Sequence, residues 1–363
     1  MKKVLIMYFR TRIDKLRKEL EETGLDGMLI IDRANTFYFT GFRGSNSLLI
    51  IMPDFAIFMT DSRYYERAES QIGDEFDVVL QENDGSDQIR LFFEIRGKLR
   101  IGFEPSISYS RYIWLRECMK HVRLEDAGSI IKKLRMVKDD AELELVKKSA
   151  EINDACMTML TQNVRPGMTE KDVSILIRRF YEDNGAEGES FPCIVASGPN
   201  SAIPHHRTSD RVIRKKEPLL IDMGCIYEHY CSDMTRTIFF GEPEEEIRKI
   251  YDITLEAQVA ALNTVRAENT AACVDDTARS VIAEAGYRDC FGHNTGHGVG
   301  VEVHEEPRLK PGSEDILTPG MVVTVEPGVY LPGKGGVRIE DLVLVDETEG
   351  ERLSLSDKNM LIL

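Results

Sequence analysis

Nowhere in this 363-residue chain do apolar residues run on for the roughly 18 positions that a membrane-spanning helix needs. The opening MKKVLIMYF carries two lysines and a short apolar stretch. It lacks a full hydrophobic segment and a small-residue cleavage site, so it does not read as a signal peptide. Met7 offers a second candidate start beside Met1. Basic residues are in deficit, 46 Lys and Arg against 62 Asp and Glu, and the net charge of −16 argues against nucleic acid or an anionic membrane as partner. Cysteine is sparse and unpatterned. Cys118, Cys156, Cys193, Cys225, Cys231, Cys273 and Cys290 are odd in number and form no C-x-x-C pair, which argues against a zinc ribbon or a disulfide framework. They read as reduced thiols of a cytoplasmic protein. Low-complexity segments, short repeats and phosphate-loop signatures are missing too: TGHGVG (295–300) has neither G-K-[ST] nor G-x-G-x-x-G.

What the chain has instead is a set of acids in apolar company. They lie in LLIDMGCIYEHYCSDMTRT (219–237), HNTGHGVGVEVHEEP (293–307) and VVTVEPGVY…GVRIED (322–341). An ionised carboxylate is costly to bury alone, yet Asp222, Asp233, Glu326 and Glu340 all sit in runs that read as core strands. The midpoint between Glu326 and Glu340 is Gly333, inside the turn-forming LPGKGG (331–336). The two glutamates should therefore face each other across a hairpin, with Cβ atoms about 5 Å apart. The same reasoning centres a turn for the aspartates between Tyr227 and Glu228, where no Gly or Pro stands. Taken singly, Asp222 could cap a turn, Glu326 could end a solvated strand and His297 could be a hydrogen-bonded core histidine. Together they fit two divalent ions, since four carboxylates neutralise two M²⁺. Oxygen donors with a single imidazole suit Mn²⁺ first, and accept Co²⁺ or Zn²⁺.

The segments resemble those of the pita-bread metallopeptidases, in the branch of Xaa-Pro aminopeptidases (aminopeptidase P) and Xaa-Pro dipeptidases (prolidases). That branch takes its ligands from the Asp of a D-x-G strand, the Asp of SDxTRT, the His of GHGxG, the Glu of EPGxY and the Glu of GxRxED. All five are present, as Asp222, Asp233, His297, Glu326 and Glu340. SGPNSAIPHH (197–206), TGFRGS (40–45) and TDSRYYERA (60–68) extend the match over nearly the whole chain. The resemblance implies that Asp222 chelates one ion, Asp233 and Glu340 bridge, and His297 and Glu326 bind the other. It also implies that Glu326 carries a proton from water to the proline nitrogen, and that His205, His293 and His304 donate hydrogen bonds to the reacting oxygen. His206 reads as a surface residue. Arg308, Arg338 and Tyr330 are the substrate-binding candidates, Arg338 either clamping a carboxylate or forming a salt bridge.

The implied substrates are peptides with proline second, and the implied assembly is a homodimer. TGFRGS and TDSRYYERA favour an Xaa-Pro aminopeptidase over an Xaa-Pro dipeptidase, although Arg308 of HEEPR matches an arginine that some prolidases use. Methionine aminopeptidase shares the catalytic core but not the extra N-terminal domain or the PHH segment. A metal-free binding module of the same shape would have lost ligands, and here all five remain.

The expected fold is mixed α/β: a creatinase-like α/β domain over 1–128, then a pseudo-twofold pita-bread catalytic domain over 129–363. In the first, Ile13, Leu16 and Leu20 make a helical stripe ended by Gly24, GMLIID (27–32) a strand, and 47–60 a hairpin about Pro53-Asp54. In the second, DDAELELVKKSAEI opens a helix, and Thr169 caps another with Val173, Leu176, Ile177, Phe180 and Tyr181 on its core face. A further helix follows Pro243. Helices then an acid-bearing hairpin occur twice.

Overall fold

Ile13, Leu16 and Leu20 do form a buried stripe, on helix α1 (Lys2–Thr23), which gives way to Gly24 at φ +67°. The computed structural model describes residues 2–363, with side chains from residue 8 onward, so Met1, one of the two candidate starts, lies outside them. The chain divides into two compact units, one up to Arg135 and one from Met136 to Leu363.

The first unit runs through β1 (Gly27–Ile30), α2 (Arg33–Thr40), β2 (Leu48–Ile51), β3 (Ala56–Thr60), α3 (Tyr65–Gln71) and β4 (Asp77–Leu80). It continues with α4 (Ser86–Glu94), β5 (Arg100–Phe103), α5 (Tyr109–Cys118), β6 (Arg123–Asp126) and α6 (Gly128–Met136). The six strands form one mixed sheet in the order β4-β3-β2-β1-β5-β6. Strands β1 and β2, GMLI and LLII, are buried at every position, as expected of strands covered on both faces. The β2–β3 hairpin pairs Ile51 with Ala56, so it turns about Pro53-Asp54 as the sequence predicts. Ile130 and Ile131 of α6 are buried in this unit's core, which is why the division falls at the end of α6 and not before it.

In the second unit, α7 (Asp140–Asn163) and α8 (Glu170–Asp183) each open with a reciprocal cap, Asp139 with Glu142 and Thr169 with Asp172. Val173, Ile177 and Tyr181 are fully buried on α8, with Leu176 and Phe180 packed beside them. Strands β7 (Gly188–Glu189), β8 (Ile194–Ser197), β9 (Pro218–Met223), β10 (Cys225–Tyr227), β11 (Tyr230–Cys231) and β12 (Met234–Phe239) follow. The pattern then repeats with α9 (Glu245–Leu262), α10 (Ala271–Glu284), β13 (Gly296–Gly298), β14 (Glu305–Leu309), β15 (Val322–Val325), β16 (Gly328–Leu331), β17 (Gly335–Arg338) and β18 (Asp341–Val345). Two short strands, β19 (Gly350–Arg352) and β20 (Leu361–Ile362), complete the sheets β20-β12-β9-β8 and β14-β13-β15-β18-β19. Each half has its own apolar core, α7 and α8 against β8, β9 and β12, and α9 and α10 against β15 to β18.

The hairpin registers place the acids. Val325 pairs with Asp341 and Gly328 with Arg338, so Glu326 and Glu340 lie opposite one another and the turn centres on Gly333 at φ +79°. The aspartate hairpin differs from its expectation by one position. Asp222 pairs with Thr235, and the turn falls at Glu228 and His229, with φ of 44° and 73°. Glu187 stabilises this left-handed turn without glycine, accepting from His229 N at 3.1 Å and bonding His229 Nδ1 at 2.8 Å. Asp222 and Asp233 are therefore diagonal neighbours and not direct partners. Among the described residues no helix is long and apolar enough to cross a membrane.

Candidate metal centre

The five expected ligands come from the edges of both halves: Asp222 on β9, Asp233 before β12, His297 on β13, Glu326 after β15 and Glu340 before β18. Two glycines let the strands carrying them close in. A Cβ on Gly224 would stand 2.0 Å from the Ser232 carbonyl oxygen, and one on Gly296 would stand 1.9 Å from that of Thr324. Only a bare backbone fits at either point.

All five side chains line one cleft of about 840 Å³. Asp233, His297 and Glu340 each present a donor atom within 4.8 Å of the other two. His297 Nε2 lies 3.7 Å from Asp233 Oδ2 and 3.4 Å from Glu326 Oε1. Its Nδ1 donates to the Gly298 carbonyl at 3.1 Å, which leaves the Nε2 lone pair aimed at the acids. Asp222 accepts from Arg338 Nη2, and Glu340 Oε2 accepts from Thr235 Oγ1 at 2.7 Å.

One guanidinium, that of Arg338, stands against the four acids, and burial and mutual repulsion outweigh it. Burial pushes Glu326 up to about 8, with the Asp222 charge adding to the rise. Burial and then neighbouring carboxylates drive Asp233 and Glu340 well above the ordinary range. Burial pushes His297 down to about 3, and His304 beside it acts in the same sense. Such a set of buried acids around a neutral imidazole is the state a divalent cation would reverse. Two acceptors match that need: Asp233 Oδ1 and Glu340 Oε1 are buried and have no hydrogen-bond partner. The residues present therefore fit divalent metal.

Around the acids, His205 and His304 are exposed to the cleft, and neither imidazole has a hydrogen-bond partner among the described residues. The His304 ring meets that of His297 edge-on at 4.4 Å. His293, expected as a donor to the reacting oxygen, lines the same cleft. Its Nδ1 bonds the Asn294 carbonyl and its Nε2 the Tyr330 hydroxyl, each at 2.8 Å, so both ring nitrogens are engaged. Burial pushes it down to about 4, with Arg338 adding to the shift.

Arg338 is likewise committed within the protein. Besides Asp222, it donates to Thr235 Oγ1 at 3.1 Å, Tyr330 Oη at 3.0 Å and the Pro204 carbonyl at 3.3 Å. Of the two readings the sequence left open, the guanidinium forms the salt bridge, and Tyr330 is held between Arg338 and His293. Arg308 is different. It is the direct strand partner of His297, it lines the cleft, and its guanidinium has no hydrogen-bond partner among the described residues. His206 is not a free surface residue either, since its Nε2 meets the buried carboxylate of Glu170 at 2.9 Å.

Sequence reasoning missed Thr235 and Glu170. Thr235 lies inside the SDMTRT segment, so the motif marks it, but its link between Arg338 and Glu340 is visible only in three dimensions. Glu170 follows a helix cap, where an acid ordinarily serves the helix dipole, and nothing local betrays its other partners.

Residues 144–347 match the model of metallopeptidase family M24, and residues 12–137 match that of the creatinase/prolidase N-terminal domain. A Xaa-Pro dipeptidase of Pyrococcus furiosus is 36% identical over 97% of this chain and 100% of its own length. The solved Xaa-Pro dipeptidase from Bacillus anthracis superposes with a TM-score of 0.94 at 38% identity, covering 98% of this chain and 100% of that one. The X-Pro aminopeptidase of Thermotoga maritima does so at 0.86 and 36%, covering 94% and 98%. With the five acid and imidazole donors in place on a two-unit α/β scaffold of this topology, the chain belongs to metallopeptidase family M24, preceded by a creatinase/prolidase-type domain.

Proposed function

We propose that this chain is a metal-dependent Xaa-Pro dipeptidase, cleaving the bond before proline in a dipeptide. The observation that carries this reading is Arg308. An unpaired guanidinium beside the candidate ligand His297 suits the free carboxylate that a dipeptide presents about one residue beyond the scissile bond. The dipeptidase names of the Pyrococcus and Bacillus relatives favour the same choice over the aminopeptidase reading that TGFRGS and TDSRYYERA suggested.

Asp222, Asp233, His297, Glu326 and Glu340 would hold two divalent cations, of which Mn²⁺ best suits four carboxylates and one imidazole. Bound cations would supply a nucleophile from water at neutral pH and polarise the carbonyl before proline. Glu326 takes the proton released by that water and returns it to the proline nitrogen, without which a tertiary amide leaves poorly. His205 and His304 donate to the carbonyl oxygen as negative charge develops on it. Arg338 holds Asp222 in place, and Tyr330 and His293 brace Arg338.

The test offers Mn²⁺-loaded protein an Xaa-Pro dipeptide and an Xaa-Pro-Yaa tripeptide side by side, with a chelated control. Metal-dependent cleavage of the dipeptide alone is the expected result. Efficient cleavage of the tripeptide at its Xaa–Pro bond would return the reading to an aminopeptidase.

A further inference from the structure

Glu170, the first residue of α8, is wholly buried, and its two carboxylate oxygens accept six hydrogen bonds. Oε1 takes Ser197 N and Oγ, both at 2.8 Å, and Asn200 Nδ2 at 2.9 Å. Oε2 takes His206 Nε2 at 2.9 Å, Ser209 N at 3.0 Å and Ser209 Oγ at 2.6 Å. Burial alone would raise this carboxyl. The donors of Ser209, Ser197, Asn200 and His206 outweigh it and hold Glu170 below its ordinary range.

The donors belong to the two ends of one segment, residues 197–209. Its middle carries His205. On one side of His205, the Pro204 carbonyl receives Arg338 Nη1 at 3.3 Å; on the other, the His206 ring is tied to Glu170. The Ser201 hydroxyl, in the same segment, accepts from Gly336 N at 2.8 Å, against the hairpin that leads to Glu340. The His205 imidazole lines the cleft and has no hydrogen-bond partner among the described residues.

We propose that Glu170 is a positioning residue for His205: its carboxylate clasps both ends of the 197–209 segment and so sets the reach of that imidazole towards the reacting carbonyl. The chemistry requires a carboxylate. All six partners donate, and only an ionised carboxylate offers acceptors alone, whereas a glutamine would turn an NH₂ group onto at least one donor. The proposal rests on His205 donating to the developing oxyanion, as the dipeptidase reading has it.

The test is a double-variant cycle on the Mn²⁺-loaded full chain with an Xaa-Pro dipeptide. His205→Ala should lower kcat by roughly 100-fold, the loss of one oxyanion donor, and leave KM nearly unchanged. Glu170→Gln should lower kcat by about tenfold or more, and Glu170→Gln combined with His205→Ala should be no slower than His205→Ala alone. Losses that multiply, or a Glu170→Gln variant with undiminished kcat, overturn the proposal. If Glu170→Gln does not fold, His206→Gln and Ser209→Ala enter the same cycle under the same criterion. A readout that needs no turnover separates this inference from the dipeptidase reading. The His205 imidazole NMR resonances should move in Glu170→Gln, and the Ser197 and Ser209 amides should exchange faster. If the wild type cleaves no Xaa-Pro peptide, the function falls, and an unmoved His205 resonance would overturn the clasp on its own.

Discussion

Arg338 and Asp222, both buried, are joined through Nη2 and Oδ2, and this pair supplies the one full positive charge bonded to the four acids among the described residues. Breaking a buried pair strands a charge and costs about 3–5 kcal/mol. Divalent cations would provide a substitute countercharge for Asp222. Arg338→Leu is therefore expected to lower the Tm of chelated protein by several degrees and that of Mn²⁺-loaded protein by less. Scanning calorimetry of the four samples decides; equal losses would make Arg338 a packing residue bracing Tyr330.

The pH dependence of the metal-free protein follows from opposing groups. Glu326, raised from 4.5 to about 8, keeps its proton in the folded chain and loses it in the unfolded one, so stability falls as pH rises between those values. Asp233 and Glu340 shift in the same direction. His297, lowered from 6.5 to about 3, and His293, lowered to about 4, act oppositely and add stability as pH rises to 6.5. Above 6.5 only the acids remain. The Tm of chelated protein should decline from pH 6.5 to 8, and saturating Mn²⁺ should abolish the decline by keeping the carboxylates ionised. A flat chelated profile over that range would mean the acids are not coupled as the geometry indicates.

How much of this was legible beforehand depended on how local each determinant is. The glutamate register could be read from Gly333 because a glycine-rich turn fixes a hairpin by its midpoint. The aspartate register could not, because its turn uses Glu228 and His229 in left-handed conformations held by Glu187, some forty positions away. The ligand types were recoverable from their motifs. The free or committed state of Arg308, Arg338 and His293 was not, since it depends on Tyr330, Thr235 and Pro204 meeting in space. Glu170 was missed, and His206 misread as a surface residue, for the same reason. An acid after a helix cap and a histidine beside another look ordinary until the segment between them closes.

Arg308 should separate the two peptidase readings. A charge-assisted contact to a substrate carboxylate contributes about 1.5–3 kcal/mol, or roughly 10- to 100-fold in affinity. Arg308→Met is expected to raise KM for an Xaa-Pro dipeptide by that factor with kcat largely kept, and to change the C-terminally amidated dipeptide little. Steady-state kinetics on the acid and amide forms measure both. Equal losses on the two would show that Arg308 acts on His297 or His304 and not on the carboxylate.

Gly224 offers a steric check on how the aspartate hairpin reaches the site. A methyl group there would overlap the Ser232 carbonyl at 2.0 Å, a backbone atom that cannot swing aside. Gly224→Ala should cost about 1–3 kcal/mol of stability by forcing the strands apart. Because Ser232 directly precedes Asp233, it should also weaken Mn²⁺ binding, measurable by isothermal titration. Loss of stability with unchanged metal affinity would place Asp233 outside the ligand set.

Glu326 is asked to do two things, bind metal and carry a proton, and a single substitution can separate them. Glu326→Gln keeps the shape and the contact with Thr324, and it replaces a group that is already largely protonated in the metal-free fold at pH 7. The chelated variant should therefore be as stable as wild type at pH 6.5, and its Tm should fall less steeply towards pH 8, because one titrating acid is gone. Turnover is a separate matter, since a glutamine cannot accept the proton from water or return it to the proline nitrogen. Loss of a general acid–base group costs roughly 100- to 10,000-fold. Metal content, measured on the same preparation, separates the two roles. A Glu326→Gln protein that retains Mn²⁺ and loses turnover makes Glu326 the proton carrier. One that loses both is a ligand first, and one that turns over near the wild-type rate would move the proton to another group, with His304 the next to substitute.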